Sequence, residues 1–254
     1  MPRAQKYAGK LVYNERWGNR KQHIVANYVR YNRNLGIYSD TFDIMIKMLA
    51  KRIRNKQQNI IQIVGDTGSG KSTLAIEMCY ALAKELNVTF DFDRDYIYVG
   101  ADMWKKMLDD DCCPISLMDE ASITLESMNS RSRDNRDIVQ LFNTMRDRGL
   151  TTILVSPEYT QVDKSVRRVH TNFLIECSSP DHPFLRGYDR GLFELKDKRK
   201  SWNSDKDPYW NVLSTGIFGA LDPKIEAIYL PIKKSRQNLI IEDGYRRHVG
   251  EVDA

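Results

Sequence analysis

The chain has 254 residues, 41% of them hydrophobic and 29% charged, enough for one large α/β domain or one domain with a small appendage. No run approaches the roughly 20 consecutive apolar residues that cross a bilayer, and the start, Met1-Pro-Arg-Ala-Gln-Lys6, lacks the apolar stretch of a secretory leader. The net charge of +5 (39 Lys and Arg less 34 Asp and Glu) is unevenly distributed. The four cysteines, Cys79, Cys112, Cys113 and Cys177, have neither zinc spacing nor the density of a disulfide framework. Reduced, structural thiols in an intracellular compartment are expected, hence a cytoplasmic protein, or one of the host cytoplasm if a virus or plasmid encodes it.

Residues 1–56 carry 13 basic and 3 acidic side chains, a local balance of +10, interleaved with Tyr7, Tyr13, Trp17, Tyr28 and Tyr31. Such a segment suits nucleic-acid phosphates and base stacking, or equally a solvated helical surface. Residues 1–22 read as irregular, and His23 to Asn34 as a short helix. Ser39 and Asp40 are good caps for a helix over Thr41 to Asn55, with Phe42, Ile44, Met45, Met48, Leu49 and Ile53 on its apolar side.

The run Ile60-Ile-Gln-Ile-Val64 then leads into Gly65-Asp-Thr-Gly-Ser-Gly70-Lys71-Ser72-Thr73. This is the phosphate-loop pattern G-x-x-x-x-G-K-[ST] in a strand-to-helix setting. Glycines let successive backbone N–H groups turn toward one phosphate, and the N-terminus of the following helix adds its positive end. The pattern assigns phosphate contact to Gly65, Asp66, Thr67, Gly68, Ser69, Gly70, Lys71, Ser72 and Thr73. Within this set Lys71 supplies a point charge and Ser72 a hydroxyl for Mg²⁺. Leu74, Ala75, Met78, Ala81 and Leu82 continue as a buried helix, over residues 71–86.

Tyr96 to Val99 reads as a short strand and Ala101 to Leu108 as a helix. Ile115-Ser-Leu-Met118 is a buried strand ending in Asp119-Glu120, the Walker B arrangement: Asp119 would hold Mg²⁺ through its water shell and Glu120 would polarise the attacking water. Residues 122–133 read as a polar loop. A helix over Asp137 to Arg148 ends at Gly149, and the strand Thr151 to Val155 runs into Ser156-Pro157. Ser156 would lie beside the Walker B strand tip and sense the nucleotide. Arg146 and Arg148 either reach a neighbouring subunit's γ-phosphate or pair with the C-terminal end of their own helix. Val162 to Val169 reads as a helix whose Lys164, Arg167 and Arg168 form a second basic cluster, and His170 as a packing residue. Phe173 to Cys177 is a further strand. Strands alternating with helices imply a parallel sheet covered on both faces.

Gly191 to Lys196 alternates like an edge strand, followed by a charged turn through Ser201. Trp202, Tyr209, Trp210, Phe218 and Tyr229 suit the packing of a small subdomain, and the tail after Ile241 reads as disordered. The expected division is a basic extension over 1–56, an ATPase core over 57–180 and an appendage over 181–254.

The order of these features is the phosphate loop, Asp119-Glu120, Arg146-x-x-Gly149-Leu150, the strand ending at Ser156, and the stretch from Val162 to Arg167. It resembles the FtsK/HerA superfamily over about residues 58–177, in particular small viral packaging and zonular-occludens-toxin-like members. Many members end the strand in Thr-Gln where this chain has Ser156-Pro157, so either Ser156 or Glu158 would take over sensing or sensing differs. The resemblance implies a RecA-like three-layer P-loop NTPase core that hydrolyses ATP with Mg²⁺. It also implies a homo-oligomeric ring, a hexamer favoured, moving or packaging double-stranded DNA without reading its sequence. The alternatives are an ATP-dependent assembly or secretion factor, a small-molecule kinase and an AAA+ loader.

Overall fold

The computed structural model describes residues 29–32, 36–98, 100–109, 112–125, 140–143, 148–178, 191–199 and 207–250. The chain divides into two compact units, Met1–Ala220 and Leu221–Ala254. The expected boundary at 181 therefore falls inside the first unit.

The most apolar strand forms the centre of the first unit. Strand β3 (Asn59–Gly65) is buried from Asn59 to Val64, as expected for an Ile/Val run covered on both faces. It pairs in parallel with β5 (Thr151–Val155) on one side and β6 (Phe173–Ser178) on the other, and β4 (Ile115–Met118) pairs in parallel outside β5. Beyond β6 the sheet continues with antiparallel β7 (Gly191–Arg199) and β8 (Tyr209–Phe218), giving six strands in the order β4-β5-β3-β6-β7-β8.

Helix α1 (Asp40–Arg54) and helix α2 (Lys71–Leu86) pack on each other and against the sheet. Side chains alternate between faces along a strand. Ile60, Met118 and Leu154 join one cluster with Phe142, Val162, Val166 and Met103 of α3 (Gly100–Met107). The result is the mixed α/β P-loop NTPase fold that the sequence implied, with a mainly parallel sheet.

Several local readings need correction. Val29–Asn32, expected within a helix, is strand β1, paired antiparallel with β2 (Gly36–Ser39). Its Val and Tyr favour a pleated surface, and Asn and Gly nearby are poor helix formers. The expected strand at Tyr96 is a single parallel bridge to Leu117. The helical turn Ala121–Thr124 occupies the start of the loop expected over 122–133, and residues 126–133 lie outside the described residues. The helix expected over Val162 to Val169 is present from residue 164, with Val166–His170 as a π-helical turn.

Strand β7 is not an edge strand, and the expected charged turn begins inside it: Lys196 to Arg199 pair with Tyr209 to Val212 of β8. Gly191 to Leu195 are all buried, so the period-two pattern there marks no solvated edge. In the second unit, helix α4 (Pro223–Gly250) continues past Ile241 through the segment expected to be disordered. Of residues 242–250 only Glu242, Arg246 and Arg247 are good helix formers, so the local sequence does not announce the helix.

One buried ion pair fixes the α3 side of the sheet. Lys106 Nζ lies 2.7 Å from Asp95 Oδ1, with side-chain exposures of 1% and 0%, and it also donates to the Ile115 carbonyl. Asp95 additionally accepts from Arg94 Nε at 3.0 Å and from the Asp91 backbone N–H at 2.8 Å. Burial alone would raise the Asp95 pKa, but the hydrogen bonds from Arg94 and Lys106 outweigh it and hold the carboxyl below its ordinary value.

The pair therefore contributes stability above the ordinary aspartate range and loses it as pH falls through the depressed pKa. Lys106→Ala leaves a buried carboxylate without its ammonium and should lower the unfolding free energy by about 3–5 kcal/mol near neutral pH. Urea titrations should show the deficit shrinking in acid. A loss below about 1 kcal/mol would show that the pair is not buried in solution.

Candidate nucleotide-binding site

The phosphate loop leaves β3 at Gly65, whose φ of 147° and close neighbour exclude a side chain: a Cβ there would lie 2.3 Å from the Cys177 carbonyl oxygen. The parallel pairing of β3 with β6 runs through Gly65 and Cys177, so the loop begins tight against β6. Gly70 caps α2 in the left-handed region at φ 83°. A Cβ at Gly70 would meet the Phe218 ring at 2.8 Å. Asp66, Thr67 and Gly68 are exposed along the loop, Ser69 is buried, and Thr73 is half-buried in the first turn of α2.

Lys71 folds back over the loop, its Nζ donating to the carbonyls of Gly65 and Asp66 at 2.7 Å each. Ser72 Oγ donates to Asp119 Oδ1 at 2.9 Å. That contact spans the sheet: β5 lies between β3 and β4, so the loop strand and the Asp119 strand are two positions, about 10 Å, apart. The N-terminus of α2 closes the distance. Asp119 is 3% exposed.

Glu120 follows in the left-handed region, φ 64° and ψ 44°, and opens the helical turn Ala121–Thr124. A non-glycine residue there costs about 1–2 kcal/mol, and strain of this kind clusters at functional sites.

The groups present suit a nucleotide with Mg²⁺. Ser69 Oγ is buried with no hydrogen-bond partner among the described residues. Gly65 and Gly70 keep backbone where a Cβ would collide. Ser72 and Asp119 offer hard oxygen donors. Among the described residues no group of three or more His, Cys, Asp and Glu forms a metal cage.

Ser156 lies at the end of β5, between the loop strand and β4 as expected, but its hydroxyl is engaged. Oγ accepts from Gln62 Nε2 at 3.0 Å and donates to the Glu158 carbonyl at 3.0 Å. Arg148 lies at the other end of the same strands, three residues before Thr151, which pairs with Asn59 at the start of β3. There Arg148 Nη1 donates to the Met107 carbonyl at 3.0 Å. The loop follows the C-terminal end of β3, so Arg148 and the loop of the same chain occupy opposite rims of the sheet. Arg146 lies outside the described residues.

The second basic cluster is neutralised in part: Arg167 and Arg168 both contact Asp207, at 2.6 and 2.9 Å. All four cysteines are free thiols, and burial pushes Cys177 up to about 12, against the opposing field of nearby Lys71.

Two contributors were not anticipated in these roles. The Cys177 carbonyl fixes Gly65, and Phe218, expected in a separate subdomain, backs Gly70. No local pattern links Phe218 to a loop so far away in the chain.

No protein-family model matches the chain, and no curated protein matches it. Solved structures do. The N-terminal domain of zonular occludens toxin from Neisseria meningitidis aligns at TM-score 0.41 and 15% identity, over 66% of this chain and 97% of that one. A chain of the HORMA:CdnC:Trip13 complex from E. coli MS115-1 aligns at TM-score 0.38 and 14% identity, over 54% and 62%. A KaiC-like protein from Pyrococcus horikoshii OT3 aligns at TM-score 0.31 and 14% identity, over 63% and 89%. At these scores the likeness is one of general chain path. The fold assignment rests on the strand order and loop geometry above.

Ser72→Ala should leave the fold nearly unchanged, since a single hydrogen bond nets about 1 kcal/mol. It should abolish the gain in ATP affinity that Mg²⁺ brings, measured by calorimetry with Mg²⁺ and with EDTA. An unaltered Mg²⁺ effect would remove Ser72 from the metal site.

Proposed function

We propose that this protein is a Mg²⁺-dependent ATPase. The observation that carries the reading is the contact of Ser72 with Asp119 across two strand positions, with Glu120 held at the same strand tip. The backbone N–H groups of Gly68 to Ser72 would bind the phosphates, reinforced by the end of α2. Lys71 would exchange its loop carbonyls for phosphate oxygens. Ser72 and Asp119 would hold Mg²⁺, which would supply positive charge against the transferred phosphoryl group. Glu120 would accept a proton from, and orient, the attacking water.

The finer reading is a homo-oligomeric ring, a hexamer favoured, that moves or packages DNA. Its support is the uneven charge, +10 over residues 1–56 against −7 over residues 57–122 (5 basic, 12 acidic), together with the resemblance drawn from the sequence. The rim position of Arg148 supports action on a neighbour's phosphate, since its own loop lies at the far end of the strands. DNA-stimulated turnover separates a translocase from an assembly or secretion factor. The described residues contain no helix long and apolar enough to cross a membrane.

Glu120→Gln should retain ATP binding and lose turnover by about a hundredfold or more, a range typical of a removed general base. Lys71→Ala should weaken binding itself. Normal steady-state turnover in Glu120→Gln would sink the assignment.

If Arg148 acts in trans, Arg148→Ala should bind ATP yet turn it over slowly. Mixing it with Glu120→Gln protein should restore part of the rate, because some interfaces then hold both intact halves. Unchanged turnover in Arg148→Ala at saturating ATP would remove it from the site.

A further inference from the structure

The rim opposite the phosphate loop carries a cleft of about 450 Å³, within the usual range of small-ligand sites. Its walls come from four places: the end of α1 and its exit turn (Arg52, Lys56), the helical residues Phe142 and Asn143, the π-turn with His170, and Asn172 before β6. Among the described residues, none that lines it is acidic.

Arg52 is half-buried and differs from the cations that meet carboxylates. Arg94 and Lys106 face Asp95, Arg167 and Arg168 face Asp207, and Lys196 faces Glu176. Arg52 has no carboxylate among the described residues. Its Nε donates to the neutral Asn59 Oδ1 at 2.5 Å, and its guanidinium stacks over the Phe173 ring at 5.5 Å. Both contacts fix its direction without cancelling its charge. Burial lowers its pKa, as for any cation held from water.

A second such cation lies behind the π-turn. Lys198 Nζ bonds only backbone carbonyls among the described residues, those of Arg168 and Val169, and burial lowers its pKa. Burial, reinforced by Lys198, keeps His170 below its ordinary value, so its ring presents neutral polar atoms near pH 7. The His170 ring also lies against Phe142, with centroids 6.0 Å apart.

Lys56 adds a third charge in a conformation chosen at a cost. It ends α1 in the left-handed region at φ 55°. The Gln57 N–H bonds the Arg52 carbonyl at 2.9 Å and the Lys56 N–H bonds the Ile53 carbonyl at 2.8 Å. This is the Schellman geometry, where glycine is the favoured residue. The Gly149 backbone abuts this turn so closely that a Cβ there would lie 2.6 Å from Lys56 Cα.

We propose that this cleft, lined by Arg52, Lys56, Asn143 and His170, binds the phosphate of a phosphate ester, supplied by a free phosphorylated molecule or by a nucleic-acid backbone. The guanidinium offers a fixed fork of donors, Lys56 a mobile ammonium, and the amides neutral donors. This site is separate from the ATP loop and does not depend on the ATPase reading.

The test uses the full chain carrying Lys71→Ala, which weakens the loop's own claim on phosphate. The probes are inorganic pyrophosphate, by calorimetry, and a fluorescein-labelled 20-nucleotide oligothymidylate, by anisotropy across a salt series. Lys56→Gly and Arg52→Gln are each added to that background. Lys56→Gly should raise thermal stability, because glycine suits the left-handed turn, while weakening binding about tenfold. A purely structural role would not separate the two readouts.

A tenfold loss for pyrophosphate alone identifies a free phosphate ester as the ligand. A loss for the oligonucleotide, with the salt slope reduced by about 0.7 for the lost contact, identifies a nucleic-acid backbone. Affinities for both probes unchanged in Lys56→Gly and Arg52→Gln, or binding of neither probe by the background protein, would overturn the proposal.

Discussion

The contact between Ser72 and Asp119 makes demands on nearly every part of the first unit. The serine begins a helix that follows the central strand, and the aspartate ends a strand two positions away. A hydrogen bond between them requires parallel strands in register, so that both tips emerge on one rim. It requires β5 to fill the gap, and it requires α2 to lean across that gap rather than rise straight from its own strand. The parallel pairs Asn59–Thr151 and Ile115–Thr151 align the three strands. Burial of Ile60, Met118 and Leu154 in one cluster holds them there. The polar contact is small in energy; the hydrophobic packing that delivers its partners is not.

Much of this was legible in the sequence because the relevant signals are local. An apolar run followed by spaced glycines and Lys71-Ser72 specifies strand, turn and helix over a dozen or so residues. Ile115 to Glu120 and Thr151 to Ser156 are equally self-contained. Those segments fold as their own patterns dictate.

What the sequence hid depends on distance or degeneracy. Strand β1 lay in a short polar segment where only Val29 and Tyr31 favour the strand over the helix expected there. The interior place of β7 depends on β8, which no local pattern announces. The engagement of Ser156 depends on Gln62, a polar residue in the middle of an otherwise apolar strand, whose Nε2 also donates to the Tyr159 carbonyl at 3.2 Å. That glutamine is the signal that could have warned of it: a buried amide needs partners, and a nearby hydroxyl is the obvious one. Charge was misleading in a similar way. Arg167 and Arg168 read as an open basic patch until Asp207, forty positions on, came back to meet them.

The Phe218 ring lies where side chains at Gly70 and Gly191 would otherwise go, so the antiparallel hairpin is structural backing for the phosphate loop. This sets a limit on trimming. A minimal nucleotide-binding fragment cut at the end of β6 would keep every residue of the recognised motifs and still lack the wall behind Gly70. The smallest useful piece of this chain is therefore defined by a phenylalanine that belongs to none of those motifs, and an engineer shortening the protein would do well to keep the hairpin intact.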